Sequence, residues 1–355
     1  MTTRYLILAA GLGYRWHDHL GVPKHLITLD GETILGRTVR QLVERGCETW
    51  IVGPDDPRYA FKCHTVPGAK LWTPWQKYPT GTQVDKFLSS EPIWNTEGRT
   101  VWLWGDVWWS DGAMTTLTSW SGDDPWHVWL RPGASHLNGC GNGEMFAHAF
   151  DVDQHDAERA ACARVAQLAA EDKIPWLNTG GWSHYRAMLG LDDDLVHGWV
   201  DAYTAGRNAT TIDDWTNDFD APGDYVAWYG RRAQGKYPIT VKFDGTSPEV
   251  RDGWPSSSTQ RPAAVVSVRG DLRISDQQLW CGVAHAVEHQ VPVVPYSHAS
   301  GTLRSCGEPM WTADDTDRRI VISPAKRIGT SSWRADDVAP VRLYGYCQDL
   351  GMVTG

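Results

Sequence analysis

Near the start of the chain stands Leu8-Ala9-Ala10-Gly11-Leu12-Gly13-Tyr14-Arg15, and Pro23-Lys24 follows nine residues after the arginine. Gly11 and Gly13 free the backbone to come close to a ligand, and the N–H groups of such a loop form an anion site. Arg15 and Lys24 add fixed positive charge beside it. The chemistry this combination serves is the holding of phosphate groups. It is not the dinucleotide fingerprint, because the third glycine of G-x-G-x-x-G is missing and Trp16 stands in its place. A second chemical group lies further on, where the apolar run of residues 100–104 ends in Gly105-Asp106. Functional groups of open parallel sheets gather beyond the carboxyl ends of strands, which makes Asp106 a candidate.

These residues need elements to position them. Residues 4–10 have the apolar character of a buried strand, so the glycine loop leaves the end of a strand. Residues 33–45 carry Ile34, Leu35, Val39, Leu42 and Val43 at the spacing of a helix with one buried face, and Gly46 ends it. Residues 49–52 predict a strand, 82–89 a helix, 100–104 a strand and 157–171 a helix. Alternation of this kind predicts an α/β fold with a Rossmann-like, mainly parallel sheet covered by helices. From Tyr237 onward the pattern changes to short β-type runs around one helix that opens with Ser275-Asp276-Gln277-Gln278. The expected organisation is a nucleotide-binding domain over residues 1–232 and a smaller α+β module over 236–355, joined near residues 231–236.

With these residues in place, the chain resembles the nucleotidyltransferases that make nucleotide-sugars, including the MobA-like NTP transferases, whose opening is L-A-A-G-x-G-x-R followed by P-K. Their fold is also that of the type A glycosyltransferases. The resemblance spans residues 4–230. It implies that Ala9, Ala10, Gly11, Leu12 and Gly13 bind the nucleotide, that Arg15 and Lys24 contact its phosphates, and that Gly81-Thr82 lies near the base. It further implies a metal ligand at Asp106 and an acceptor or sugar pocket at Gly143-Glu144 and Asn178-Thr179-Gly180. Asp218-Phe219-Asp220-Ala221-Pro222-Gly223-Asp224-Tyr225 is similar to the D-x-D-t-P-e-D-Y ending of such domains. Mg²⁺, or Mn²⁺ in its place, prefers one or two carboxylates with water and phosphate oxygens completing its shell, which fits Asp106 with Asp218 or Asp220.

Composition narrows the partners. The net charge is −10 and no basic stripe appears, so duplex DNA is disfavoured as the main partner. Seven cysteines stand far apart with no C-x-x-C pair, which fits a reducing, cytoplasmic setting. No apolar run approaches the roughly 20 residues of a membrane-spanning helix. Tryptophan is frequent, 21 residues against 6 phenylalanines, and is expected to fill core positions.

Two further motifs have ordinary readings. His285-Ala286-Val287-Glu288-His289 has the H-x-x-E-H order of inverted zinc peptidases. Helical spacing puts both histidines opposite Trp280, Val283 and Val287, on an expected solvent face. His17-Asp18-His19 is expected to be a polar cluster in a loop.

The leading expectation is Mg²⁺-dependent transfer of a nucleotidyl group from a nucleoside triphosphate to a sugar phosphate or related phosphorylated acceptor, with release of pyrophosphate. The alternatives are a type A glycosyltransferase that spends a nucleotide-sugar to decorate DNA or protein, as in phage, and a nucleotide-binding scaffold without turnover. DNA is a partner only under the glycosyltransferase alternative. No membrane partner is expected.

Overall fold

Strand β1 (Thr3–Leu8) alternates its side chains between two faces, and both faces are apolar: Tyr5 and Ile7 point one way, Leu6 and Leu8 the other. A strand buried on both sides belongs inside a sheet covered twice by helices. The computed structural model describes residues 2–11, 13, 15–16, 19–61, 68–73, 81–135, 137–138, 143–191, 208–237, 239–244, 263–269, 276–290, 293–297, 320–324 and 341–345. These residues divide into two compact units, one of Met1–Tyr14 with Pro23–Asp220, the other of Arg15–Val22 with Ala221–Gly355.

In the first unit, short strands β2 (Thr28–Leu29) and β3 (Glu32–Thr33) form a hairpin that leads into helix α1 (Ile34–Glu44). Thr33 caps α1 by accepting the Gly36 N–H. Strand β4 (Glu48–Val52), strand β5 (Lys70–Trp72), the short helix α2 (Asp85–Leu88) and strand β6 (Arg99–Trp104) follow. Next come β7 (Val107–Trp108), α3 (Asp111–Ser119), β8 (Trp126–Arg131), β9 (Glu144–Asp151), α4 (His155–Ala170), α5 (Gly181–Met188), β10 (Ala209–Thr211) and β11 (Asn217–Asp218). The main sheet has seven strands in the order β10-β8-β9-β6-β1-β4-β5. Pairing is parallel except at β9, which runs antiparallel to both β6 and β8. The expected α/β sheet is therefore present, mainly parallel and covered on both faces.

Helices α1 and α3 bury Leu35, Val39, Leu42, Met114 and Leu117 against Tyr5, Ile7, Val101 and Leu103. On the other face α2 and α4 bury Phe87, Cys162, Val165 and Leu168 against Leu6, Leu8, Trp102 and Phe150. Tryptophan does fill the core: Trp94, Trp102, Trp109 and Trp129 are among the largest fully buried side chains. Phe87 stacks on Trp102 with centroids 4.9 Å apart.

The structure differs from the sequence expectations in four places. The helix expected over 82–89 shrinks to Asp85–Leu88, because the Asp85 carboxylate accepts the Thr82 N–H and holds residues 82–84 in a turn. Strands β8 and β9 and helix α3 had no clear sequence signal. The boundary between units falls between Asp220 and Ala221, not in the joint at 231–236, because helix Pro222–Ala233 packs on helix Asp276–His289. Gly230 makes that approach possible, since a Cβ there would lie 2.2 Å from the Gln277 carbonyl oxygen. His285 does not face solvent: it is buried beside the Tyr225 hydroxyl, 3.4 Å from its Nδ1, because helix Pro222–Ala233 covers that side. Burial pushes its imidazole down to about 3.

The second unit also holds a five-stranded mixed sheet of Ile239–Asp244, Ala264–Arg269, Ile320–Pro324, Val293–Ser297 and Val341–Gly345, in that order. Among the described residues no helix is long and apolar enough to cross a membrane.

Gly105 closes β6 against β1. A Cβ there would meet the Leu8 carbonyl oxygen at 2.8 Å and the Ala9 Cβ at 2.9 Å, and both belong to the neighbouring chain segment. Gly105→Ala should therefore lower stability by about 1–3 kcal/mol, the usual cost of overpacking. A urea midpoint equal to that of the wild type would show that the backbones yield freely.

Candidate active site

The candidate site forms where β1 and β6 end side by side. Leu8 is in register with Trp104, so the chain leaves β1 into the glycine loop beside the turn that carries Asp106. Gly13 adopts φ +58°, in the left-handed region that favours glycine, so one of the two expected loop glycines is required by the backbone. Ala9 is buried, Ala10 half-buried and Gly11 exposed. Leu12, His17 and Asp18 lie outside the described residues.

Lys24 enters from the first position of a single 3-10 turn, Lys24–Leu26, which Pro23 starts by accepting the Leu26 N–H. The side chain is 11% exposed, and its ammonium pairs with Asp106 and with Asp220 Oδ1, the latter at 3.1 Å. Asp220 reaches this point through strand pairing. Strand β11 runs antiparallel to β7, with Asp218 opposite Val107, and the Phe219 N–H donates to the Asp106 carbonyl. Of the two D-x-D acids it is Asp220 whose carboxylate meets Lys24, while Asp218 supplies backbone pairing to β7.

Charge and burial reinforce one another here. Burial works against the Lys24 ammonium, but Asp106 and Asp220 outweigh it and hold the lysine protonated, above its ordinary range. Burial likewise works against the Asp106 carboxylate, yet Lys24, then His25 and, least, Lys86 outweigh it and hold its pKa below the ordinary carboxylate range. His25 is buried next in sequence, with Nδ1 3.3 Å from the Tyr59 hydroxyl, and burial pushes it down to about 4, so it is neutral at pH 7. It adds bulk and a hydrogen bond beside Lys24 without adding charge.

A second group forms around Gly81, which adopts φ +66°. The Gln83 N–H donates to Thr179 Oγ1 at 2.9 Å, and Trp176 Nε1 donates to the Gly81 carbonyl at 2.8 Å. Gly180 faces the Gln83 side chain, where a Cβ would lie 3.2 Å from Oε1. The predicted Gly81-Thr82 and Asn178-Gly180 segments, almost 100 residues apart, are thus bound to each other. Trp176 is 44% exposed, although its indole N–H is tied down. Glu144 opens β9 in register with Arg131. Arg15 belongs to the other unit, in the stretch Arg15–Val22, where Trp16 packs edge-on to a buried His19.

Sequence reasoning missed His25, Gln83 and Lys86. Lys86 had a usable signal, since it follows Thr82 by four residues on an expected helix. His25 had only its adjacency to Lys24.

Two carboxylates converging on one ammonium define a point where positive charge is held. The donors are all hard oxygens, which fits a Mg²⁺ or Mn²⁺ ion. Residues 5–73 match the MobA-like NTP transferase domain family. Over those residues the chain is similar to that family, whose opening motif its first residues resemble. No curated protein matches the chain. Solved structures similar to it include the inositol-1-phosphate CTP transferase from T. maritima, with 15% identity over 63% of this chain and 91% of that one and a TM-score of 0.39. The CTP:phosphocholine cytidylyltransferase from Streptococcus pneumoniae is 13% identical over 63% of this chain and 96% of that one, with a TM-score of 0.39. A UDP-glucose pyrophosphorylase complexed with UDP-glucose is 12% identical over 66% and 99%, with a TM-score of 0.43.

The lowered pKa of Asp106 has a consequence for stability. The folded state favours the ionised carboxyl, so its contribution is complete above the ordinary aspartate value of 3.8 and is lost as the pH falls toward about 2. Asp106→Asn should therefore flatten the fall in unfolding free energy across that window, measured by denaturant titration at a series of pH values. Lys24→Met should cost about 3 kcal/mol, because it leaves two carboxylates facing each other in a largely buried site. An equal acid slope in wild type and Asp106→Asn would show that the pair does not set the acid limit.

Proposed function

We propose that the chain is a metal-dependent nucleotidyltransferase that joins a nucleoside triphosphate to a sugar phosphate or a related phosphorylated acceptor. The observation that carries this reading is the buried Lys24 ammonium between Asp106 and Asp220, at the strand end from which the glycine loop departs. The match of residues 5–73 to the MobA-like NTP transferase family supports it.

In this reading an acceptor phosphate oxygen attacks the α-phosphorus of the triphosphate. The bond from that phosphorus to the oxygen bridging toward the β-phosphate breaks, and the electron pair leaves with pyrophosphate. No covalent enzyme intermediate is required, so the residues serve by positioning and by charge. The N–H groups of the Ala9–Gly13 loop and Lys24 would hold the phosphates, with Arg15 two residues beyond Gly13 in the chain. Asp106 and Asp220 would hold Mg²⁺ or Mn²⁺, with Asp218 held in the adjoining strand, and such a cation neutralises phosphate oxygens where charge builds. Gly81 and Thr82 would lie toward the base, and Asn178 and Gly180, with Glu144, toward the acceptor.

The test is pyrophosphate release from each nucleoside triphosphate with a panel of sugar phosphates, with and without Mg²⁺. Turnover should require metal, and Asp106→Asn should lower kcat by about a hundredfold or more while leaving the protein folded, in the range seen when one transition-state charge partner is removed. A nucleoside triphosphate that binds with Mg²⁺ should also raise the thermal midpoint. Consumption of a nucleotide-sugar with no pyrophosphate formed from any triphosphate would overturn the proposal in favour of glycosyl transfer.

A further inference from the structure

Far from Lys24 in the sequence, three ionisable side chains meet inside the core of the first unit. His148 comes from β9, Glu158 from α4 and His184 from α5. All three are at most 2% exposed. Their ligand atoms lie within 4.8 Å of one another, and theirs is the one group of this kind among the described residues. Around them stand Phe87, Trp102, Trp126 and Phe150, so the surroundings are aromatic and dry.

Hydrogen bonding accounts for half of the cluster. His148 Nε2 and Glu158 Oε1 make a hydrogen bond of 2.7 Å. His184 Nε2 and Glu158 Oε2 stand 2.8 Å apart as a charge contact, but their orientation makes no hydrogen bond, and neither atom has another hydrogen-bond partner. A buried acceptor and a buried ring nitrogen left unpaired cost about 1–3 kcal/mol each, and natural cores seldom leave them so. Both atoms are aimed into the same small space.

We propose that His148, Glu158 and His184 form a structural site for a divalent transition cation of the zinc class. Two imidazoles and one carboxylate are a set that Zn²⁺ accepts with a water in the fourth position, and imidazole nitrogen favours it over Mg²⁺. Bonds of about 2.0–2.1 Å in a tetrahedron require the two His–Glu contacts to open from 2.7 and 2.8 Å to about 3.3 Å, and the two imidazole nitrogens, which lie within 4.8 Å of each other, to settle at a similar separation. The ion would replace a hydrogen bond and a misaligned contact by three ligand bonds, and would clamp α4 and α5 to the sheet. Since α5 begins directly after Gly180, the clamp would also fix the segment that holds Gln83. The site is separate from Asp106 and Asp220 and independent of the proposed nucleotidyl transfer.

The full chain, stripped by chelator in denaturant and refolded with Zn²⁺, should keep one equivalent through gel filtration, read by metal analysis. Asp106→Asn should keep the same equivalent and His184→Asn should lose it. Refolding with Co²⁺ should give visible absorption bands of a nitrogen- and oxygen-ligated ion, absent in His184→Asn. If that variant does not fold, X-ray absorption on the Zn²⁺-loaded wild type decides, and two imidazoles with one carboxylate around the metal support the site. Retention of no zinc by the wild type, loss of the metal in Asp106→Asn, or a metal shell without imidazole would overturn the proposal.

Discussion

A lysine ammonium shut between two aspartates is the constraint on which the first unit turns. Lys24 and Asp106, 11% and 13% exposed, would each be costly as a lone buried charge and are tolerated because they face one another, with the more exposed Asp220 as the second partner of the lysine. Satisfying them requires three backbone segments to end at one place: the turn after the glycine loop, the end of β6 and the end of β11. The parallel pairing of β1 with β6 and the antiparallel pairing of β7 with β11 supply that convergence. The sheet is less a container for the site than the device that keeps its charges within reach of one another.

The interior follows from the same sheet. With both faces covered, each central strand must be apolar at consecutive positions, and the chain meets this need with indole rings where other proteins use phenyl rings. Trp102 packs against Phe87, Trp94 and Phe150, and its own N–H is satisfied by the Ser90 hydroxyl at 3.1 Å. Tryptophan supplies volume but also a donor, so such a core must include polar partners at fixed points. Ser90 serves both Trp94 and Trp102 in this way.

Much of this was legible in the sequence wherever the signal was local. The glycine loop, Lys24 and the strand ending at Asp106 could be found because each is a short pattern next to its own secondary structure. Helix α1 was equally plain, with a Thr33 cap before it and a periodic apolar face. That Asp220 would reach Lys24 was not legible, since it depends on the register of β11 against β7. Strands β8 and β9 were hidden because aromatic residues and histidine break their alternation and a glycine-rich stretch separates them. His285 was misplaced because a face that periodicity leaves unoccupied can still be covered by another helix. His148, Glu158 and His184 stand on three elements with no motif spacing, and only the folded chain brings them together.

The distance along the chain between the partners of Lys24 bears on how the protein is made. Lys24 and Asp220 are 196 residues apart, so the charge cluster joins distant parts of the chain. During synthesis, β1, α1, β4 and β6 can pair as soon as they have left the ribosome, since their contacts close loops of moderate length. At that stage Lys24 and Asp106 can meet, but the second carboxylate has not been made. The cluster therefore closes last, as a latch set by the arrival of residues 217–220, and a chain interrupted before them would have a nearly finished sheet and an unfinished charge balance. For this unit, the residues that complete the charge balance are also the last of its chain.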